Sequence, residues 1–396
     1  MNPLLETLSV WTARDVASCA LAFVSTLVLL HSLIPLARRI GLVDRPYGAK
    51  IHTLPTPLVG GIAMFTAFAL TMPMLDIGLT PYRPLLVAGA MLVIVGVLDD
   101  FKELSSTTRL AAQIIAALMM CYWGEVRLVD MGALKFDGGI TRLGIWEVPL
   151  TVFCVIGVIN AVNMIDGLDG LASGLASIAF GTLAYAAAAG GVPAHALVLV
   201  LLTSATLAFW FMNAGLPGRS DANVFMGDGG SLFLGFALAW FVIELSQGSG
   251  RVIAPAQALW IAVIPLMDTV RLLIWRAAQG QSPFKGDQEH LHHVLRRLGV
   301  NAGRSVGWIL AMALGAAVFG VTAPALGISE LSLFYGFMGL FTAYALFMAW
   351  IGFQRGLFGR PMEARLGAGD RRHSTDRRVD ERRRGGDRRQ SEERRT

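Results

Sequence analysis

Near-continuous apolar runs, each close to 20 residues long, alternate with short polar segments over most of this chain. They cover roughly 16–36, 58–75, 84–98, 109–123, 148–163, 170–190, 194–213, 229–246, 256–275, 306–323 and 331–353. A helix of about 20 residues rises about 30 Å, the thickness of a bilayer's hydrocarbon core. A soluble helix would need a polar face, and these runs have almost none. The pattern predicts an all-α polytopic membrane protein with about eleven transmembrane helices. Frequent glycines inside the runs suit close helix packing in lipid. The first run, Val16–Leu36, is too long for a signal-peptide core and no small-x-small site follows it, so it reads as a retained helix. The polar segment Gly124–Glu147 contains VRLVDMGALKFDGG, which predicts a small external β-hairpin.

Composition strengthens this class assignment. Of 396 residues, 54% are hydrophobic and 15% charged, where soluble domains carry about 25% charged residues. Cys19, Cys121 and Cys154 all lie in apolar runs and have neither disulfide nor metal spacing. Charge sets the expected orientation. The loops that hold Arg38, Arg39, Lys50, Lys102, Arg219, Arg276 and Arg296 carry about twice the basic residues of the opposite set, so they are expected to be cytoplasmic. An odd span count then places the N-terminus outside and the C-terminus in the cytoplasm.

The chain is expected to divide into a transmembrane domain, 1–358, and an Arg-rich cytoplasmic tail, 359–396. The tail repeats Asp370-Arg371-Arg372, Asp376-Arg377-Arg378 and Asp387-Arg388-Arg389. Having almost no apolar residues, it is expected to be disordered. Its two readings are a solvated tail and a contact with anionic lipid headgroups, with nucleic acid disfavoured.

Five polar clusters interrupt the apolar pattern, and this topology puts all of them on the cytoplasmic side. Charged residues beside membrane helices are costly, so their gathering on one side points to a site. The first, DRPYGAKIHTLPTPLVGG, holds Lys50 and His52. The second is Asp99-Asp100, closing the third run. Adjacent carboxylates repel, and hard oxygen donors of this kind suit Mg²⁺ or Mn²⁺. Arg109 follows ten residues later as a phosphate contact. The third, NAVNMIDGLDGLASG, spaces Asn160, Asn163, Asp166 and Asp169 three apart. They line one face if helical, whereas Gly167 and Gly170 allow the backbone to break. The fourth, NVFMGDGGS, sets Asp228 among glycines before a helix, as a metal–phosphate site would require. The fifth runs from PLMDTVR, where Asp268 and Arg271 can pair, to SPFKGDQEHLHH with His290, His292 and His293. That histidine spacing is not a zinc-protease pattern, so phosphate binding or proton handling is the better reading. No phosphate-cradling P-loop is present.

The set VGVLDD, NAVNMIDGLDGLA, FMGDGGS, PLMDT and SPFKGDQEHLHH closely resembles the WecA-type polyprenyl-phosphate N-acetylhexosamine-1-phosphate transferases. The resemblance runs from about Asp44 to Gly299. It implies attack of undecaprenyl phosphate on the β-phosphate of a UDP-N-acetylhexosamine, most often UDP-N-acetylglucosamine. The products are UMP and a lipid diphosphate sugar, and Mg²⁺ or Mn²⁺ is required. It implies a multi-pass protein of the bacterial inner membrane, its site facing the cytoplasm, at the first membrane step of a cell-envelope polysaccharide such as O-antigen.

Roles carry over by position. Asp99, Asp100, Asp166 and Asp169 are expected to be catalytic, and Asn163 and Asp228 to hold the metal. Lys50, His52, Arg109, Asn160, His290, His292 and His293 are expected to bind substrate. One departure is the pair Ala49-Lys50, where relatives carry Arg-Lys; this loop has one basic residue fewer. The sugar, homodimerisation and the choice between one-step and covalent mechanisms stay open. A secondary transporter is the alternative from another class, but it would set its acids near the midplane.

Overall fold

The computed structural model describes residues 9, 11–44, 55–214, 223–248, 250–280 and 289–355. The chain divides into two compact units, Met1–Leu340 and Phe341–Thr396. Among the described residues, the first unit is helical apart from one pair of two-residue strands. Its helices are α1 (Ala13–Ile40), α2 (Gly60–Thr71), α3 (Arg83–Lys102), α4 (Ser106–Tyr122), α5 (Glu147–Ile165), α6 (Leu171–Ala189), α7 (Pro193–Asn213), α8 (Gly227–Ser246), α9 (Pro255–Ile261), α10 (Val263–Ala278), α11 (Leu291–Arg297), α12 (Ala302–Thr322) and the start of α13 (Glu330–Arg355). In the second unit α13 continues, with Phe347 and Trp350 stacked at 6.3 Å.

All eleven apolar runs coincide with helices, but not all of those helices are long enough to span. Eight are long and apolar enough to cross a membrane, or nine if the bent pair α9–α10 is one span. The chain is thus a multi-pass membrane protein. The two shorter helices are α2 and α4, which has 17 residues. Polar residues take the length of α4: Ser106, Thr107, Thr108 and Arg109 fill its first turn, which Ser105 caps by accepting from the Thr108 N–H. The α9–α10 pair bends by 89° around Ala262.

The core is built on α8, whose long apolar stretch is buried almost throughout, including Phe233, Phe236, Trp240 and Phe241. It packs against α3, α5 and α2. Glycine lets these helices touch backbone to backbone. A Cβ on Gly96 of α3 would fall on the Gly229 backbone, and one on Gly61 of α2 on the Gly230 backbone. Only residues without a side chain fit this seam.

The strand pair corrects one expectation. It joins β1 (Val43–Asp44) to β2 (Thr56–Pro57), flanking the first polar cluster, and does not lie in Gly124–Glu147. The latter segment has one antiparallel bridge, Asp130–Arg142, among the described residues. Backbone bonds cross it as in a hairpin, from the N–H groups of Leu143, Met131 and Thr141 to the carbonyls of Val129, Thr141 and Gly132, so the expected turn is present without regular strands. Gln247 Oε1 also accepts from the N–H groups of Val129 and Asp130, and Glu330 from that of Ala133. Lys50, His52 and the tail after Arg355 lie outside the described residues.

Candidate functional site at the helix ends

Four helix ends deliver the acidic motifs to one place. α3 brings Asp99 and Asp100 in its last turn, α5 brings Asn163 in its last turn, α8 starts with Asp228, and α4 brings Arg109 in its first turn. The start of α8 is fixed by the chain before it. Phe225 donates its N–H to the Pro57 carbonyl, while Gly60 and Gly61 donate to the carbonyls of Phe225 and Met226. Gly227 has φ +72°, and a Cβ there would stand 2.6 Å from Asp100 Oδ2. Glycine at this position therefore leaves room for the carboxylate.

The two adjacent aspartates have different partners. Asp99 is buried, at 6% exposure. Its Oδ2 accepts from Arg109 Nη1 at 2.9 Å and its Oδ1 from the Leu104 N–H at 2.6 Å. Among the described residues Asp100 accepts a backbone N–H alone, that of Asp228, at 3.2 Å to each oxygen. Asp228 Oδ1 accepts from Asn163 Nδ2 at 2.9 Å, and that amide also donates to Ser231 Oγ at 2.8 Å. Arg109 Nη1 stands 3.8 Å from Asp228 Oδ2. One guanidinium thus serves two carboxylates, while Asp228, Asp99 and Asp166 all bring negative charge to bear on Asp100.

The polar stripe does not continue on one helical face. α5 ends at Ile165, Asp166 is its C-cap, and Asp169 lies in the following loop, so the break at the glycines is the reading that holds. Gly170 has φ +77°, its N–H donates to Asn213 Oδ1 at 2.6 Å, and its carbonyl accepts from Trp210 Nε1. Asp166 and Asp169 are exposed. Although Asp166 keeps surface exposure, protein packed around its carboxyl removes water there, and with the charges of Asp228 and Asp169 this pushes its pKa up to about 7. Asn160 points elsewhere: its amide donates to Gln113 Oε1 and to the Ile156 carbonyl.

Among the described residues no three His, Cys, Asp or Glu side chains form a ready metal cage. A hard divalent ion does not need one, because Mg²⁺ usually binds through one or two carboxylates plus substrate phosphates. The donor set fits such an ion: Asp228, Asp100 and the Asn163 amide carry oxygens and crowd one another, with Arg109 beside Asp228.

The histidines form a second group. His290 and His292 are buried, at 4% and 1% exposure, and only His293 is partly open. His290 Nδ1 donates to Asp268 Oδ2 at 2.8 Å. Asp268 also pairs with Arg271 at 3.3 Å, so the expected pair exists, but it is shared with His290. Ser231 and Gln113 escaped the sequence reading. Ser231 stands one turn beyond Asp228 and Gln113 one turn beyond Arg109, and that helical spacing was the available signal.

Apolar spans with carboxylates, an amide and a guanidinium gathered at their ends define a multi-pass membrane protein equipped to bind a charged group there. The chain belongs to glycosyl transferase family 4, among its WecA-type membrane transferases. The sequence profile of that family matches residues 82–246. The chain is 34% identical over 301 residues to undecaprenyl-phosphate alpha-N-acetylglucosaminyl 1-phosphate transferase of Escherichia coli K12, covering 76% of this chain and 82% of that one. The protein of the same name from Haemophilus influenzae is 34% identical over 331 residues, 83% of this chain and 92% of that one. The one from Salmonella typhimurium is 35% identical over 301 residues, with 76% and 82% covered. The family resemblance carried by the motifs is borne out.

Proposed function

We propose that this protein transfers N-acetylglucosamine-1-phosphate from UDP-N-acetylglucosamine to undecaprenyl phosphate, releasing UMP. The observation that carries the reading is the convergence of Asp100, Asp228, Asn163 and Arg109 at four helix ends. The names of relatives at 34% identity support the lipid and the sugar. A different UDP-N-acetylhexosamine is the alternative donor. The basic-residue bias of the loops supports a cytoplasmic site in a bacterial inner membrane.

Two anions must meet for this reaction, so their repulsion is the main barrier to lower. Asp100, which among the described residues accepts no side-chain hydrogen bond, accepts the remaining proton of the lipid phosphate and orients its oxygen. That oxygen bonds to the β-phosphorus of the donor. The bond from this phosphorus to the UMP oxygen breaks, and the electron pair leaves with UMP. Arg109 balances Asp99 and Asp228 and keeps positive charge beside the transferred phosphoryl. A divalent cation bound by Asp228 and Asn163 would neutralise the donor diphosphate. Asp166 and Asp169, on the exposed loop, are assigned to the donor side. Lys50, His52 and Asn160 also remain assigned to substrate, Asn160 through its α4–α5 contact.

The deciding experiment incubates purified protein with undecaprenyl phosphate, Mg²⁺ and a panel of UDP-sugars, and reads UMP. Release with UDP-N-acetylglucosamine above all others supports the reading. No UMP with any donor, together with transport of a solute, would replace it with the transporter. A labelled covalent enzyme trapped without lipid phosphate would replace the direct step with an aspartyl-phosphate route.

A further inference from the structure

Asp268 of α10 belongs to no step above, yet it is almost wholly buried at 1% exposure. Its carboxylate and Arg271 grip three consecutive residues at the entry to α11. Arg271 donates to the Glu289 carbonyl, His290 donates its ring Nδ1–H to Asp268, and the Leu291 N–H lies 3.2 Å from both Asp268 oxygens. One turn of chain therefore hangs on one buried carboxylate. Such a buried ionic group adds little net stability but fixes geometry, because losing one partner strands the others.

What α11 carries next touches the acidic loop. His292 is stacked between the rings of His290 and His293, with centroids 5.7 Å and 4.2 Å away. Its edge lies against Gly167, where an added Cβ would collide with His292 Nε2. Burial, then the neighbouring His293 and His290, lower its pKa to about 3, so the ring is neutral. Both ring nitrogens lack a hydrogen-bond partner among the described residues, so the ring meets the loop through its shape. Gly167 stands between Asp166 and Leu168-Asp169.

We propose that Asp268 is a positioning residue: through His290 and the seating of α11 it presses His292 against Gly167 and so sets where Asp166 and Asp169 stand. His290 and His292 are then internal parts of this linkage, and His293 alone of the three reaches substrate. This rests on the transferase reading, in which the Asp166–Asp169 loop serves the donor.

The test compares Asp268→Asn with Asp268→Ala in the full chain, reading kcat and both KM values. Asparagine keeps an acceptor for the Leu291 N–H and is expected to stay within about tenfold of the parent. Alanine is expected to lower kcat roughly 10²-fold, as a small misplacement does, with KM for undecaprenyl phosphate unchanged. Equal inactivation by both variants would make Asp268 an acid–base group and overturn the proposal. A size swap guards against misfolding of the alanine variant. Gly167→Ala is expected to lower kcat and the double variant Gly167→Ala/His292→Ala to regain part of it; a double variant no better than the single one overturns the linkage. Maleimide labelling of a cysteine placed at Leu168 separates this proposal from the transferase reading. Faster labelling in Asp268→Ala supports the linkage even if no form releases UMP, and equal labelling refutes it.

Discussion

Asp100 receives the backbone N–H of Asp228 on both of its carboxylate oxygens, at 3.2 Å each. The last turn of α3 is thereby tied to the first turn of α8, and the positive end of the α8 dipole faces a carboxylate. Asp99 is committed to Arg109 and to the Leu104 N–H, so the adjacent pair is not equivalent. Asp100→Asn is expected to lower kcat by roughly 10²–10⁴-fold, the usual worth of a general acid–base group. Asp99→Asn is expected to cost less in kcat, while lowering the melting temperature more, since it loosens an ion pair whose carboxylate is buried. UMP release and detergent-phase melting of the two variants check the division.

Asn163 and Asp228 are bonded to each other at 2.9 Å and are assigned to the same cation. Chelation is expected to abolish transfer, and Mg²⁺ or Mn²⁺ to restore it. Asn163→Ala is expected to raise the Mg²⁺ concentration for half-maximal rate by about tenfold, the effect of losing one orienting contact at a metal site. An unchanged metal titration with a lowered maximal rate would remove Asn163 from the cation.

Gly96→Ala sets a methyl group against the Gly229 backbone, where neither partner has a side chain to move. Overpacking of this kind costs about 1–3 kcal/mol. The expected result is a lower melting temperature together with lost activity. Gly181 of α6 has open space around it, so Gly181→Ala is the control that should leave melting nearly unchanged.

Asp166 titrates near pH 7 in the fold, against an ordinary value of 3.8. Its folded pKa is raised, so between these values the folded protein holds more protons than the unfolded chain. Stability from this group therefore falls as pH rises from about 4 to about 7. Metal-free protein is expected to melt at progressively lower temperature across that window, and Asp166→Asn to flatten the trend. Melting curves at fixed ionic strength read the slope directly.

Hydropathy located the long helices because each needs its own apolar run, and the eleven runs met helices or the bent pair, whereas the short α11, rich in His and Arg, has no such run. It did not give the lengths of α2, which ends just before Pro73, and α4, which its polar first turn shortens, or the size of the 89° bend at Ala262, although Pro265 marks a break there by its clash with the Ile261 carbonyl. The acidic site was legible as a list of residues, and its pairings were not. Asn163 with Ser231, Asn160 with Gln113 and His290 with Asp268 are contacts across helices, and they follow from which helices are neighbours. Nothing in one-dimensional periodicity encodes that choice. The glycine break after Asp166 was open between two readings because a three-residue spacing suits both a helix and a turn.

The glycine seam between α2, α3 and α8 leaves no atoms to trim or enlarge by ordinary side-chain replacement. The spacing between the helix ends that carry Asp100 and Asp228 is therefore set by backbone contact and cannot be tuned one side chain at a time. Under the proposed transfer, a library seeking new sugar donors belongs instead on side chains outside this seam, at Leu168, Asp169 and His293.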